Sequence, residues 1–418
     1  MKKKLVVVGG GFAGLQLVKN VDKKIFDVLL IDRLNHHQFQ PLFYQVATSS
    51  IEPSSISFPL RHVFNTRTSI QIRMTEVVQV HPSENKIETK VGFFDYDYLV
   101  VATGCKSNFF NNPSIEAHAL TLKTTYDAIA IRNHIISVFE KILYASEAEK
   151  AHLFNIVIVG AGPTGVELAG AFAEIKRDIL PKDYPRIDFS KLSVYLIEGS
   201  KNTLNNMSDL AKKASRSYLE ELGVKVVTET FVKSYDGQFA VLSNGETLPT
   251  STLIWAAGVI GNKIGGFPES HWVANNRILV NRQNLVKGFD NIYALGDIAM
   301  METPLFPKGH PQVANVAINQ AKLLAKNFNK MFKNEPLLEY EYKDLGTMAT
   351  IGRKKAVVDL PFFKFKGYFA WLIWMFLHLM LILSVRNKLF IFLNWAWSYF
   401  TKDSSLRLIL TPTNEKKE

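Results

Sequence analysis

Lys4-Leu5-Val6-Val7-Val8-Gly9-Gly10-Gly11-Phe12-Ala13-Gly14 stands near the start of the chain, and Ile156-Val157-Ile158-Val159-Gly160-Ala161-Gly162-Pro163-Thr164-Gly165 repeats its pattern. In each, a β-branched run feeds a G-x-G-x-x-G turn that opens a helical pattern. The first glycine permits a tight turn, the second lets backbone approach a pyrophosphate, and the third lets helix pack on strand. The helix N-terminus then offers free N–H groups to phosphate. A single such turn is weak evidence, since glycine turns are common. Two of them argue for two bound dinucleotides and a two-step electron relay.

The neighbouring segments complete two similar units. Phe26-Asp27-Val28-Leu29-Leu30-Ile31-Asp32 is a second strand ending in an acid, and Leu192-Ser193-Val194-Tyr195-Leu196-Ile197-Glu198 is its counterpart. The second crossover is the longer, with a two-proline insertion over 180–189. Asp32 and Glu198 are placed to accept from ribose hydroxyls. A carboxylate at Glu198 repels a 2′-phosphate, which favours NADH over NADPH. Buried strands ending in Thr103-Gly104 and Ala257-Gly258 close the two units, and Tyr293-Ala294-Leu295 ends in Gly296-Asp297. Asp297 either accepts from a flavin ribityl hydroxyl or caps the following helix. The first reading gives FAD to the first glycine turn and NADH to the second. The expected fold class is α/β, with two Rossmann-like domains and a discontinuous FAD domain. Residues 1–115 and 262–335 form the FAD domain, 116–261 the NADH domain, and 336–418 a C-terminal membrane-association region.

The 418 residues suffice for two or three domains, and 47% hydrophobic content with 21% charge excludes wholesale disorder. A net charge of +11 suits either simple solubility or an anionic membrane surface. Nucleic acid is disfavoured because no reader motif accompanies the charge. Cys105 is the sole cysteine, which fits a reducing compartment and excludes a flavin-adjacent cysteine pair. The histidines show no metal-ligand spacing, so no metal is expected. A short apolar run ending in glycines is no secretory signal, which predicts a cytoplasmic catalytic part.

Several segments are more specific than the glycine turns: Gln40-Pro41-Leu42-Phe43-Tyr44-Gln45-Val46-Ala47-Thr48, Met348-Ala349-Thr350-Ile351-Gly352-Arg353 and Leu393-Asn394-Trp395-Ala396-Trp397-Ser398-Tyr399. With these the chain resembles the type II NADH:quinone oxidoreductases, the non-pumping respiratory NADH dehydrogenases, over residues 4–411. The resemblance implies that Gln45, Ala47 and Thr48 line the isoalloxazine. It also implies that Glu167 is an acid near the nicotinamide, orienting the ring or assisting proton movement. A first-turn glutamate favoured by the helix dipole is the plainer alternative. The segment Pro311–Gln320 aligns with the family's quinone helix, which gives Ala314, Asn315, Asn319 and Gln320 to a quinone site. Asn315 and Asn319 stand where the family usually has glutamine, which bears on quinone affinity or type (menaquinone or ubiquinone).

Residues 367–385 form 19 consecutive uncharged positions, long enough to just span a bilayer. The following apolar run, 389–400, is too short to return. Trp371, Trp374, Trp395 and Trp397 with basic neighbours suit an interface instead, or a buried core. The resemblance implies peripheral, one-leaflet attachment, often with homodimerisation through this region, and with a cytoplasmic catalytic part the expected face is the cytoplasmic one. Removal of 367–418 is expected to detach the protein while sparing NADH oxidation by soluble acceptors. Other classes remain open at this level. These are a sulfide:quinone or ferredoxin-type reductase, the former lacking its cysteines, and an NADH-responsive flavoprotein acting through a partner.

Overall fold

Strand Lys3–Val8 lies at the centre of a five-stranded parallel sheet. Phe26–Asp32 and Tyr98–Val101 flank it, and Ile70–Met74 and Ile292–Ala294 form the edges. Its residues Leu5, Val6, Val7 and Val8 are all buried, as a parallel strand covered on both faces requires. Helix Phe12–Asn20 packs Leu15, Leu17 and Val18 into a core shared with Ala321, Leu324 and Phe328 of helix Ala314–Met331. The computed structural model describes residues 1–65, 69–403 and 406–409.

A second five-stranded parallel sheet repeats this plan around Asn155–Val159. Ser193–Ile197 and Thr252–Trp255 flank it, and Val224–Val227 and Leu120–Thr121 lie outside. The registers correspond. Val8 pairs with Ile31 and Val101, and Val159 pairs with Ile197 and Trp255. Each glycine turn therefore leaves the sheet between the two strands that flank its own.

The expected helical pattern over 125–150 is two helices. Thr125–Ile142 starts at a capping box of Thr124 and Asp127, and Glu147–Leu153 at one of Ser146 and Glu149. The mixed stretch after 336 becomes an antiparallel sheet of Thr347–Thr350, Ala356–Asp359 and Lys364–Lys366. The uncharged run 367–385 is not one helix. Helix Tyr368–Leu381 stops where Ile382 turns extended (φ −64°, ψ 134°), and a new helix occupies Val385–Thr401. At ~1.5 Å per residue the first falls short of a hydrocarbon core of about 30 Å. No helix among the described residues is long and apolar enough to cross a membrane.

Two compact units emerge, one of residues 1–38, 58–106 and 259–343, the other of 39–57, 107–258 and 344–418. This division differs from the boundaries expected from sequence. Residues 39–57 and the C-terminal region from 344 group with the second glycine turn, while 336–343 stay in the first unit; helix Phe43–Ala47 packs on helices Thr125–Ile142 and Pro163–Asp178.

Candidate active site

In the first unit, a Cβ on Gly9 would lie 2.2 Å from Ala102 O, and one on Gly14 would lie 1.8 Å from Gly9 O. Gly165 repeats the latter at 1.8 Å from Gly160 O. Packing alone therefore demands glycine at these positions. Gly11 and Gly162 differ, since a Cβ at either meets nothing within 4 Å. The space beside both middle glycines suits a phosphate against bare backbone. Phe12, Ala13, Pro163 and Thr164 follow as the first helical residues of their loops.

The two acids serve their loops in the same way. Asp32 accepts from Gly10 N at 2.5 Å and Leu34 N at 2.7 Å. Glu198 accepts from Ala161 N at 2.6 Å and Ser200 N at 2.7 Å. Each carboxylate oxygen keeps a lone pair for a further donor. Burial raises the Asp32 pKa, against the two backbone N–H bonds. A cavity of about 440 Å³ in the first unit is lined by Gly9, Asp32, Glu76, Thr103 and Lys106. Thr103 Oγ1 donates to Asn262 O at 3.0 Å, and Gly104 takes φ +68°. A cavity of about 670 Å³ in the second unit is lined by Gly160, Gly162, Glu198, Ala257 and Gly258, with Phe109, Phe110 and Trp255 as aromatic walls. Both cavities are large enough to hold part of a dinucleotide.

Asp297 accepts from the Cys105 thiol at 3.0 Å, and Gln312 Nε2 donates to its carbonyl at 2.9 Å. Cys105 thus supports the Gly296-Asp297 turn.

A third cavity, of about 100 Å³ in the second unit, is lined by Tyr44, Gln45, Glu167, Thr350, Arg353, Trp374 and Trp395 among others. Glu167, in the first turns of helix Pro163–Asp178, is buried. Burial pushes its pKa up to about 8, while the Thr350 N–H (3.4 Å from Oε1) and the Trp374 indole pull the other way. Trp395 Nε1 donates to Gln45 Oε1 at 2.7 Å, and Gln45 Nε2 donates to Tyr44 Oη at 2.8 Å. Arg353 Nη1, a buried donor at the cavity, has no partner among the described residues, and Trp374 Nε1 faces Glu167. The outer faces of helices Tyr368–Leu381 and Val385–Thr401 expose Phe369, Phe376, Trp397 and Phe400.

The pyridine nucleotide-disulphide oxidoreductase family matches residues 3–321, and the NDH2 C-terminal domain matches 345–402. The type II NADH:quinone oxidoreductase Ndh of Mycobacterium tuberculosis is 30% identical, over 99% of this chain and 91% of its own. The mitochondrial external NADH-ubiquinone oxidoreductase 2 of Saccharomyces cerevisiae is also 30% identical, over 97% of this chain and 82% of its own. The chain belongs to the type II NADH:quinone oxidoreductase family. Its fold is that of NDH2 from Plasmodium falciparum, solved in complex with NADH, at TM-score 0.90 and 23% identity over 98% of this chain and all of that one. A sulfide:quinone oxidoreductase from Aquifex aeolicus shares the fold more distantly, at TM-score 0.73 and 20% identity over 96% of each chain.

The residues that family resemblance singled out fall into two groups. Gln45, Ala47, Thr48 and Glu167 share the second unit, on helices Phe43–Ala47 and Pro163–Asp178 and the residue after the former. Ala314, Asn315, Asn319 and Gln320 lie on helix Ala314–Met331 of the first unit. There Asn319 Nδ2 donates to Asn315 Oδ1 at 2.7 Å, and Asn315 Nδ2 donates to Lys343 O at 3.4 Å. Gln320 is buried and its Oε1 accepts from Gly296 N at 2.8 Å. It therefore holds the turn that carries Asp297. Sequence reading did not single out Tyr44, Arg353, Trp374 or the Trp395–Gln45 bond as chemistry, although all of these residues but Trp374 lie in the specific segments. His310 is buried, with Nε2 3.3 Å from Thr303 Oγ1, as a packed histidine would be.

Proposed function

We propose that this protein oxidises NADH and reduces a membrane quinone by two electrons, without ion pumping, while attached peripherally to the lipid surface. FAD is assigned to Gly9, Gly11, Phe12, Ala13, Gly14, Asp32, Ala47, Thr48, Thr103, Gly104, Gly296 and Asp297. NADH is assigned to Gly160, Gly162, Pro163, Thr164, Gly165, Glu198, Ala257 and Gly258. When bound, FAD would accept two electrons from the reduced nicotinamide and return them to the quinone. The protein's own residues bind, orient and hold protons.

The observation that carries this reading is the small cavity around Glu167. Its acid stays protonated up to about pH 8, and it presents the unpartnered Arg353 Nη1 donor beside the Trp374 indole. It lies in the same compact unit as an exposed apolar helix pair. A quinone needs this combination: an apolar approach, donors for its carbonyl oxygens, and protons as it becomes a quinol. Trp374 Nε1 and Arg353 Nη1 would donate to a carbonyl, Glu167 would supply a proton, and Gln45, fixed by Trp395, would orient the ring. Asn315 and Asn319 are assigned to the quinone path, which leaves quinone type to the assay. The docking face is assigned to the cytoplasmic leaflet, with two copies pairing through the C-terminal region.

Purified protein should carry flavin colour, bleach with NADH under anaerobic conditions, and recolour on adding a menaquinone or ubiquinone analogue. Colourless protein that refuses FAD, or flavin that NADH reduces but no quinone reoxidises, overturns the proposal. Sedimentation in mild detergent tests the pairing, and a monomer at all concentrations refutes it.

A further inference from the structure

Arg132, on helix Thr125–Ile142, is only 2% exposed. Its Nε and Nη2 have no hydrogen-bond partner among the described residues. Burial lowers its pKa and the Glu52 charge raises it. A buried guanidinium with two unmet N–H donors is costly, and a bound anion meets them. Arg132 lines a cavity of about 320 Å³, at the lower end of the ~300–1,000 Å³ typical of small-molecule sites. Ile136, Phe139, Phe172, Ile175 and Leu180 give it apolar walls. The other charged groups at the cavity are engaged elsewhere. Glu140 accepts from the Tyr184 hydroxyl at 2.8 Å, and Asp183 is ion-paired with Arg407.

We propose that this cavity is a binding site for an amphipathic monoanion, a single-chain carboxylate whose head pairs with Arg132 and whose hydrocarbon chain lies on Ile136, Phe139, Phe172 and Ile175. The planar fork of a guanidinium matches a carboxylate. The open Nε and Nη2 donors of Arg132 call for one carboxylate head, and the apolar walls call for a hydrocarbon chain. The cavity also touches Ala47, Thr48 and Ser49. An occupant would therefore brace the end of the helix that carries Gln45.

The test uses the purified flavin-loaded protein with decanoate, its methyl ester and decanol below their micelle concentrations, read by calorimetry. Decanoate is expected to bind saturably at one site, at least tenfold tighter than the two neutral probes. Arg132→Met should bring decanoate down to the level of decanol, and Ile136→Trp, which fills the cavity, should abolish binding of all three. Equal affinity for decanoate and its methyl ester on the unsubstituted protein overturns the proposal, with no variant required to fold. So does decanoate binding that survives Ile136→Trp, which would place the probe on the outer apolar face. NADH–quinone turnover measured in parallel separates this site from the proposed reaction, since either can fail alone.

Discussion

Glu167 is a carboxyl group held near a pKa of about 8 by burial. The folded state therefore binds a proton that the unfolded chain releases near its ordinary value of 4.5. Its contribution to stability is fully present below about pH 4.5 and is lost as pH rises towards about 8, by up to ~1.4 kcal/mol per pH unit. Glu167→Gln should remove that slope. Its urea midpoint should gain on the parent between pH 5 and 8.5, and parallel profiles would place the proton elsewhere. Quinone turnover of the variant should fall by about 10²-fold, as for loss of a positioned acid. Glu198 gives a second prediction. Since its two oxygens already hold Ala161 and Ser200, Glu198→Gln should raise KM for NADH by about tenfold with a smaller change in kcat, and narrow the preference over NADPH. Steady-state kinetics with both nucleotides checks this. Asp32 and Glu198 could be placed at their glycine loops from sequence because that placement follows from local spacing. The partners of Glu167 and Gln45 could not be, because they stand 183 and 350 residues away. No periodicity connects such pairs.

Helix Pro163–Asp178 links the second nucleotide loop to the C-terminal sheet. Gly170 is where the two meet, since a Cβ there would lie 2.6 Å from Ile351 O. Gly170→Ala should push strand Thr347–Thr350 off the helix and lower stability by about 1–3 kcal/mol. Thermal unfolding measures this, and an unchanged midpoint would show that the contact gives way freely. The glycine-loop strands and helices were readable because a buried parallel strand and a fingerprint helix carry strong local signals. The apolar stretch after 367 was misleading. A count of uncharged residues cannot register the break at Ile382, nor that one side of each helix is inward. Ala370, Trp374, Ile391 and Trp395 are buried, while their neighbours face out. This also revises the expected effect of deleting 367–418. The cut would remove Trp374 and Trp395 and expose the core they cover, so surface substitutions test the membrane face better.

Across the molecule, charge and apolar surface converge on one segment. Residues 360–402 contain no acid and carry Lys364, Lys366, Arg386, Lys388 and Lys402. Phe369, Phe376 and Phe400 are 74%, 61% and 81% exposed. Changing these three to glutamate should release the protein from anionic vesicles in a flotation assay while leaving NADH oxidation by a soluble acceptor within about twofold, because exposed positions contribute little to folding. Continued flotation would move the docking face elsewhere. The first parallel sheet takes its central strand from residues 3–8 and one edge from Ile292–Ala294. On the ribosome, that sheet remains open until nearly 300 residues have been synthesised, so the FAD site proposed for it can be completed only late in translation.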